Sequence, residues 1–370
     1  MRCVNLQLIP DQQLRAFRRR VLSWFEKRKR DLPWRRTKDP YRIWVSEIML
    51  QQTRVAAVIP YYERFIAAFP DVQALARARS DRVLANWAGL GYYSRARNLH
   101  RAAKEIVARH AGHFPHEHEE ALRLPGIGRY TAAAVTSIAY GEPLAVLDGN
   151  VARVLVRIGA LRGDPRPSNR WRKLEGAAQD LLARNSPGDW NQAMMELGAT
   201  VCTPKSPSCG ECPAAKWCRA RKLGIAEKLP PRREKRAPVS MTLAAAVFLD
   251  SRGRTLLVRK TEAEGVLFSR MWQFPAIDAT GADVRAALAG HLREKFGVAA
   301  NGNFAALATA RHTVTFRNIR LEPFLCRVAR LPRHSGSLTV PLTRFGGVPV
   351  SNATRKIAAA AIAHLRTITR

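Results

Sequence analysis

Hydrophobic residues follow two different patterns along this chain. Through residues 1–225 they fall at helical spacing, in segments rich in Ala, Leu and Arg that end at Pro or Gly. The clearest predicted helices cover residues 81–87, 94–110, 131–140 and 170–184. No convincing alternation of apolar and polar residues occurs there, so the pattern predicts a mainly α-helical region.

A charged, proline-rich stretch at 229–238 separates this region from a second pattern. Residues 241–260 are predicted to form two strands joined by a turn at 251–253, and residues 310–328 alternate as a strand does. Two further helices are predicted at 283–296 and 353–368. We therefore predict a helical domain over 1–229, a linker at 230–238 and an α+β domain over 239–370.

The charge of the chain indicates a polyanionic partner. The chain has 370 residues, 46% of them hydrophobic, and its 62 Lys and Arg residues against 29 Asp and Glu give a formal net charge of +33. A cationic surface gains affinity for nucleic acid by displacing counterions, with an anionic membrane surface as the competing partner. No apolar run is long enough to span a membrane and the N-terminus lacks a signal-peptide core, so we expect a soluble cytoplasmic protein.

The sequence LPGIGRYTAAAVTSIA at 124–139 indicates a tight Pro-Gly hairpin that leads directly into a helix. Gly126 and Gly128 permit positive φ angles and a close approach of the backbone. The free N–H groups and the positive dipole end of the following helix suit a phosphate. The alternative is an ordinary corner between two helices.

Two isolated acids are candidates for chemistry. Glu47 is the only charged residue between Arg42 and Arg54, among apolar neighbours, and burial would raise its pKa so that it could act as a general acid. Asp148 lies in an otherwise apolar stretch. Two acids that flank a glycosidic bond serve glycoside hydrolysis, and on DNA the leaving group would be a flipped base. Alternatively, Glu47 pairs with a neighbouring arginine, and Asp148 only caps the next helix.

Four of the six cysteines lie within residues 202–218, with the spacing C-x6-C-x2-C-x5-C. Clustered cysteines in an intracellular protein favour a metal centre over disulfides, and both zinc and an iron–sulfur cluster accept four thiolates. These residues are Cys202, Cys209, Cys212 and Cys218. Cys3 and Cys326 lie apart from them and are predicted to be ordinary thiols.

Together these segments resemble the family of adenine-specific mismatch DNA glycosylases, the MutY family, within the helix-hairpin-helix superfamily that includes endonuclease III. The motifs that carry the resemblance occur in the family's order over residues 20–220. They are LPWR at 32–35, SEIMLQQTRV at 46–55, GLGYYSRARNLH at 89–100, LPGIGRYTA at 124–132, LDGNVARV at 147–154, NQAMMELGATVC at 191–202 and the four-cysteine loop.

The resemblance implies a role for each residue of the reaction centre. It implies that Glu47 protonates adenine at N7, that Asp148 stabilises the cationic sugar and helps direct water to it, and that Asn150 and Tyr130 line the site. It also implies a [4Fe–4S] cluster on the four cysteines. Endonuclease III-like enzymes have a lysine at the position of Tyr130; because a phenol cannot form a Schiff base, we expect a monofunctional glycosylase without strong lyase activity.

The resemblance also implies how the substrate is bound. Arg35 and Gln192 are placed for the adenine pocket. Around the opposing base, a wedge would be formed by Tyr92 and by Gln52 together with Gln51. The backbone N–H groups of Gly126 and Gly128 would donate to phosphate. The implied substrate is adenine opposite 8-oxoguanine or guanine in double-stranded DNA. We expect a monomer that works in the bacterial cytoplasm in association with the nucleoid.

Residues 239–370 resemble the C-terminal domain of the same family, a Nudix-like fold that inspects 8-oxoguanine. The motifs MWQFP at 271–275 and RHT at 311–313 carry this weaker match. Many family members continue with Phe-Ser-His, whereas this chain has Val314-Thr315-Phe316. Thr315 retains a hydroxyl, but the histidine is absent, so we expect 8-oxoguanine discrimination to depart from the usual pattern.

Two other functions compete with this interpretation. A glycosylase/lyase of the endonuclease III type, which acts on damaged pyrimidines, is disfavoured by Tyr130 and by the C-terminal domain. A DNA-binding mismatch sensor without turnover is disfavoured by the presence of both Glu47 and Asp148.

Overall fold

The computed structural model describes residues 6–232, 237–259, 270–298, 304–345 and 347–368; Cys3 lies outside these ranges. The chain divides into two compact units. The first, called the helical unit, contains Met1–Arg77 and Asn98–Glu234, and the second, called the mixed unit, contains Ala78–Arg97 and Lys235–Arg370. Residues 78–97 thus group with the C-terminal part of the chain, whereas the sequence assigned them to the N-terminal domain. The boundaries at 229 and 239 stay a prediction.

Short α-helices make up the chain up to the linker, as the apolar periodicity predicts. They are α1 (Asp11–Arg28), α2 (Pro40–Leu50), α3 (Val55–Ala68), α4 (Val72–Arg77), α5 (Ser80–Trp87), α6 (Tyr93–Arg109), α7 (His118–Leu122), α8 (Arg129–Val135), α9 (Gly149–Gly159), α10 (Ser168–Leu181), α11 (Pro187–Thr200) and α12 (Arg219–Lys222). Single 3-10 turns occur at Pro33–Arg35, Ala215–Trp217 and Ala226–Lys228, and a π-helical turn at Thr136–Tyr140 extends α8. None of the helices in the described ranges is long and apolar enough to cross a membrane.

The mixed unit has eight described strands and two further helices after the linker. They are β1 (Val239–Leu249), β2 (Arg254–Arg259), β3 (Trp272–Gln273), β4 (Ala276–Asp278), α13 (Val284–Phe296), β5 (Phe304–Ala306), β6 (Ala310–Val314), β7 (Arg317–Arg327), β8 (Ser337–Pro341) and α14 (Asn352–Ile368). The predicted α+β class of this region is confirmed. The strand predicted over 310–328 is two strands, β6 and β7, which pair as an antiparallel hairpin.

Strand β1 organises the core of the mixed unit because both of its faces are buried. It pairs in parallel with β7 and antiparallel with β4, while β2 pairs with β3 and β8 in a separate three-stranded sheet. Alternate residues of β1 face opposite sides of the sheet. Ala245 and Val247 contact the cluster that includes α14, and Ala246 and Phe248 contact the cluster that includes α13.

In the helical unit, a side-chain cap fixes the start of α2, and close packing against α11 constrains the start of α9. Pro40 occupies the first turn of α2, and the Asp39 side chain caps this helix by accepting from the Tyr41 N–H at 2.9 Å. Helix α11 packs closely on α9 because Gly198 has no side chain; a Cβ there would lie 2.7 Å from Cβ of Asn150. This close contact determines where the first turn of α9 lies.

Candidate active site

A cavity of about 450 Å³ opens in the helical unit between α2, α8, the start of α9, α11 and the 3-10 turn at Pro33–Arg35. Its wall contains eight residues that the sequence singled out. They are Arg35, Glu47, Gln51, Gln52, Tyr130, Asp148, Asn150 and Gln192. These residues come from separate segments of the sequence, and the packing of the helices brings those segments to one cavity.

Glu47 is buried in this wall, with 6% of its surface exposed. Burial raises the pKa of its carboxyl to about 7, and the negative charge of Asp148 acts in the same direction, whereas Tyr130 and Arg35 lower it. Its hydrogen-bond partner is Tyr130 and not a neighbouring arginine, so the structure does not support the alternative of a surface ion pair. A carboxyl with this pKa retains a proton near neutral pH, which general acid catalysis requires.

The hydroxyl of Tyr130 connects Glu47 to helix α11. It lies 2.8 Å from Oε2 of Glu47, to which it donates, and 3.1 Å from Sδ of Met195. Burial, together with the charges of Glu47 and Asp148, raises the pKa of Tyr130 well above its ordinary value. The phenol therefore stays protonated and acts as a hydrogen-bond donor in this site.

Asp148 caps α9 and also lines the cavity. Its Oδ1 accepts from the Val151 N–H at 2.7 Å, and its Oδ2 accepts from Nδ2 of Asn150 at 3.1 Å. Burial raises the pKa of Asp148, while these hydrogen bonds favour the ionised form. The capping role and the site role are compatible, because the cap fixes the carboxylate at the edge of the cavity.

The segment before Asp148 is held by Asn191 of α11. Its side-chain amide donates to Oγ of Ser137 and to the Leu144 carbonyl, both at 2.8 Å, and its oxygen accepts from the Val146 N–H at 3.1 Å. These bonds tie the extended chain between the π-helical turn and α9 to a rigid helix. Asn191 thus helps to place Asp148.

The sequence reasoning missed two residues in the cavity wall, Arg30 and Glu196. Glu196 is fully buried and accepts hydrogen bonds from both Arg30 and Arg35. These bonds and the neighbouring positive charges hold the pKa of Glu196 at about 2, although burial alone would raise it. An isolated acid in the apolar sequence NQAMMELGATVC was the available signal for Glu196.

Two predicted site residues, Tyr92 and Thr315, belong to the mixed unit and not to the unit that contains the cavity. Both have positive φ angles, +48° at Tyr92 and +54° at Thr315, as has Gln52 in the cavity wall at +56°. Positive φ is uncommon outside glycine and is strained for a β-branched residue such as Thr315. The hydroxyl of Thr315 donates to the Val314 carbonyl at 2.7 Å.

The two glycines of the hairpin between α7 and α8 differ in conformation. Gly126 has a φ of +77°, and a Cβ there would lie 2.5 Å from Cβ of Asn98. Gly128 is the N-cap residue of α8 and has a φ of −102°, so it does not use the positive φ that glycine permits. A Cβ at Gly128 would meet no atom within 4 Å.

The four clustered cysteines are free thiols in one loop that contacts α9. Burial raises the pKa of Cys212 to about 12, and the nearby thiols of Cys202, Cys218 and Cys209 act in the same direction. The buried guanidinium of Arg157 donates to Sγ of Cys202 at 3.3 Å. In the described ranges, no three His, Cys, Asp or Glu side chains are close enough to hold a single metal ion.

This donor set fits a group that binds each thiolate through a separate metal atom. Four neighbouring thiolates are the ligands of an iron–sulfur cluster, in which they bind different irons, and they are also the ligands of a structural zinc ion. The loop is also linked to the cavity wall, because Arg153 bonds both the Cys202 carbonyl at 2.7 Å and Oδ1 of Asn150 at 2.9 Å.

Known proteins are similar to this chain in sequence and in fold. Residues 45–179 match the HhH-GPD superfamily of base excision DNA repair proteins. The adenine DNA glycosylase of Homo sapiens is 49% identical over 226 residues, which are 59% of this chain and 41% of the human protein. The adenine DNA glycosylase of Buchnera aphidicola subsp. Acyrthosiphon pisum (strain APS) is 36% identical over 260 residues, 70% of this chain and 73% of that protein.

Among solved structures, a thermostable thymine-DNA glycosylase superimposes with a TM-score of 0.53 at 28% identity, covering 58% of this chain and 98% of that one. The fold and the match over 45–179 therefore define a base excision DNA repair protein of the helix-hairpin-helix superfamily. Within it, the chain belongs to the adenine DNA glycosylase family. The chain spans 41% of the human relative and 42% of the Rattus norvegicus relative, less than half of either.

Proposed function

We propose that this protein hydrolyses the N-glycosidic bond of adenine mispaired with 8-oxoguanine or guanine in double-stranded DNA. The observation that carries the proposal is a pair of carboxyl groups in the wall of one cavity, the buried Glu47 and the partly buried Asp148. Their environments differ, because burial raises the pKa of Glu47 to about 7 while hydrogen bonds to both oxygens favour ionised Asp148. One group is thus suited to donate a proton and the other to oppose a positive charge.

Glu47 protonates the departing adenine at N7, which makes the base a better leaving group. Tyr130 fixes the orientation of the Glu47 carboxyl through its 2.8 Å hydrogen bond. The carboxylate of Asp148 stabilises the positive charge that develops on the sugar and helps direct the attacking water, and Asn150 holds that carboxylate. Because the carboxyl groups lie in the wall of the cavity, the adenine must leave the base stack to reach them.

Substrate binding is divided between the two units. Arg35 and Gln192 contact the flipped adenine, and Gln52, together with Gln51, wedges into the helix around the opposing base. All four residues line the cavity. Tyr92 and Thr315 act on the opposing base from the mixed unit, a Nudix-like recognition domain. Gly126 and Gly128 offer backbone N–H groups to a DNA phosphate, in keeping with the net charge of +33.

The reaction stops at the abasic site. Strand cleavage by a lyase needs an amine that attacks the sugar, and no lysine occurs among the residues that line the cavity in the described structure. The hydroxyl of Tyr130 is engaged with Glu47 and cannot form a Schiff base. We therefore propose a monofunctional enzyme that works as a monomer in the bacterial cytoplasm, in association with the nucleoid.

A [4Fe–4S] cluster would be held by Cys202, Cys209, Cys212 and Cys218. When bound, it would cross-link the loop that contains them and hold that loop against α9. The basic side chains of this loop and of the adjoining α12, such as Lys205, Arg219 and Arg221, would then face the DNA from a fixed backbone.

The variant Glu47→Gln tests this proposal, because it preserves the shape of the side chain and removes the acidic proton. We expect base release from a duplex with adenine opposite 8-oxoguanine to fall by at least about a hundredfold, with DNA affinity retained. The control is Glu26→Gln, an exposed carboxylate on α1 paired with Lys29. Equal rates for Glu47→Gln and the wild type would contradict the general-acid role, and binding without turnover by the wild type would indicate a mismatch sensor.

A further inference from the structure

Glu196 is a fully buried carboxylate in the wall of the candidate active site, and the mechanism above does not use it. It lies on α11, across the cavity wall from the 3-10 turn that contains Arg35. An ionised carboxylate in such a place is costly unless it is paired and hydrogen-bonded. The hydrogen-bond partners of Glu196 therefore show how its buried charge is compensated.

Two arginines surround Glu196. Arg30 donates from Nε to Oε1 and from Nη2 to Oε2, both at 2.7 Å, and its backbone N–H donates to Oε1 at 3.1 Å. Arg35 donates from Nη2 to Oε2 at 2.8 Å. The parallel pair of bonds from Arg30 is the planar fork that fixes a guanidinium and a carboxylate relative to each other.

The other terminal nitrogen of the Arg35 guanidinium is hydrogen-bonded as well. Its Nη1 donates to the Arg30 carbonyl at 3.2 Å, and its guanidinium lies over the ring of Phe25, 5.3 Å from the centroid. With both terminal nitrogens anchored, the guanidinium plane of Arg35 has one orientation at the cavity wall. Its side chain is 12% exposed, so solvent does little to compensate its charge.

Arg35 also acts on the general acid. The charged groups that face Glu47 are Arg35 from the 3-10 turn and Asp148 at the start of α9, and the hydroxyl of Tyr130 reaches it from α8. Arg35 favours the ionised form of Glu47, which opposes protonation. The negative charge of Glu196, which is hydrogen-bonded to Arg35, opposes the effect of the Arg35 charge on the protonation of Glu47.

We infer that Glu196 is a positioning residue for adenine excision: it fixes the guanidinium of Arg35 against the base pocket and offsets the charge of Arg35 near Glu47. The inference rests on the proposed function, since its effect is exerted on base recognition and on the protonation of Glu47. It assigns to α11 a second role besides presenting Gln192.

The variant Glu196→Gln tests the inference through the pH dependence of single-turnover adenine release. We expect the rate at pH 7.5 to fall by about tenfold and the alkaline limb of the profile to move down by about one pH unit, because Arg35 is then uncompensated beside Glu47. Thermal unfolding checks that the variant is folded. The matched control, Glu26→Gln, removes one exposed carboxylate of α1 and should leave both the rate and the limb unchanged.

A double-mutant cycle separates positioning from a merely structural role. If Glu196 acts through Arg35, adding Glu196→Gln to Arg35→Gln should change the rate by less than about twofold and should not move the alkaline limb. The inference would be overturned if Glu196→Gln lowered the rate of Arg35→Gln by as large a factor as it lowers the rate of the wild type. It would also be overturned if Glu196→Gln alone left the alkaline limb unshifted. Failure of the wild type to release adenine would overturn the proposed function instead.

Discussion

The two carboxyl groups of the site differ because of what surrounds them. Glu47 lies in an apolar helix face with one hydroxyl partner, whereas Asp148 accepts hydrogen bonds from a helix N-terminus and an amide. Burial raises the pKa of both carboxyl groups, but at Asp148 hydrogen bonds from Val151 and Asn150 oppose this rise, whereas at Glu47 the only opposing hydrogen bond comes from Tyr130. Residue type alone does not distinguish the acid from the stabilising carboxylate; the local structure does.

The hydroxyl of Tyr130 lowers the pKa of Glu47, so removing this hydroxyl should raise that pKa. Glu47 must be protonated to act, and the rate should therefore fall as the pH rises past about 7. In Tyr130→Phe the pKa rises, and the fall should occur at a pH higher by about one unit, since a hydrogen bond to a charged group contributes ~1.5 kcal/mol. Single-turnover rates between pH 5.5 and pH 9, a range of roughly two units on either side of the expected pKa, measure the shift.

The control for this prediction is Tyr140→Phe. That hydroxyl donates to the Phe114 carbonyl at 2.6 Å and has no contact with either carboxyl group. Its removal should leave the alkaline limb where it is. A limb that stays in place in Tyr130→Phe, or moves to lower pH, would mean that Tyr130 does not tune Glu47.

The sequence revealed some residues of the site and concealed others. Glu47 and Asp148 were predicted because each is an acid without charged neighbours in an apolar stretch, a local signal. The role of Glu196 was not, because its partners Arg30 and Arg35 lie 166 and 161 residues away in the chain. Such a pairing depends on how α11 packs, which periodicity does not encode.

At the scale of elements, helices were predicted best because their apolar spacing is a local property. The predicted helix over 94–110 is α6, and that over 283–296 is α13 with Asp283 as its N-cap. The strand predicted over 310–328 was too long, since Thr315 adopts a left-handed conformation and starts a hairpin. Strands β1 and β2 adjoin in sequence but belong to different sheets, which alternation alone does not show.

The hairpin before α8 allows a paired test of two glycines. Gly126→Ala forces an alanine into a left-handed conformation, at a cost of about 1–2 kcal/mol, and brings Cβ against Asn98. Gly128→Ala meets neither obstacle and retains its backbone N–H. We expect a lower melting temperature and weaker DNA binding for the first variant only. Equal losses would show that the hairpin does not require these conformations.

The cysteine loop makes a prediction about metal content. Replacing Cys212 by alanine should abolish the roughly four iron atoms per chain expected of a [4Fe–4S] protein. Replacing Cys326, a buried free thiol of the mixed unit, should leave the iron content unchanged. Iron and sulfide analysis with visible absorption measures both, and zinc in place of iron in the wild type would contradict the proposed cofactor.

At the scale of the whole molecule, we propose that chemistry and inspection belong to different units. The helical unit contains the cavity with both carboxyl groups, while Tyr92 and Thr315 belong to the mixed unit. The linker at 230–238 stays a prediction, and the sequence did not predict the grouping of residues 78–97 with the C-terminal part. That grouping depends on long-range contacts such as the one between Arg259 and Asp81, at 2.8 Å.

The most direct test of the account is single-turnover release of free adenine by the wild-type protein. Duplexes with adenine opposite 8-oxoguanine, guanine and thymine are compared, and strand breaks are measured with and without alkali. We expect adenine release from the first two duplexes only, with strand breaks that appear only after alkali. No free adenine from either mispair would contradict the proposed chemistry, and breaks without alkali would contradict a monofunctional enzyme.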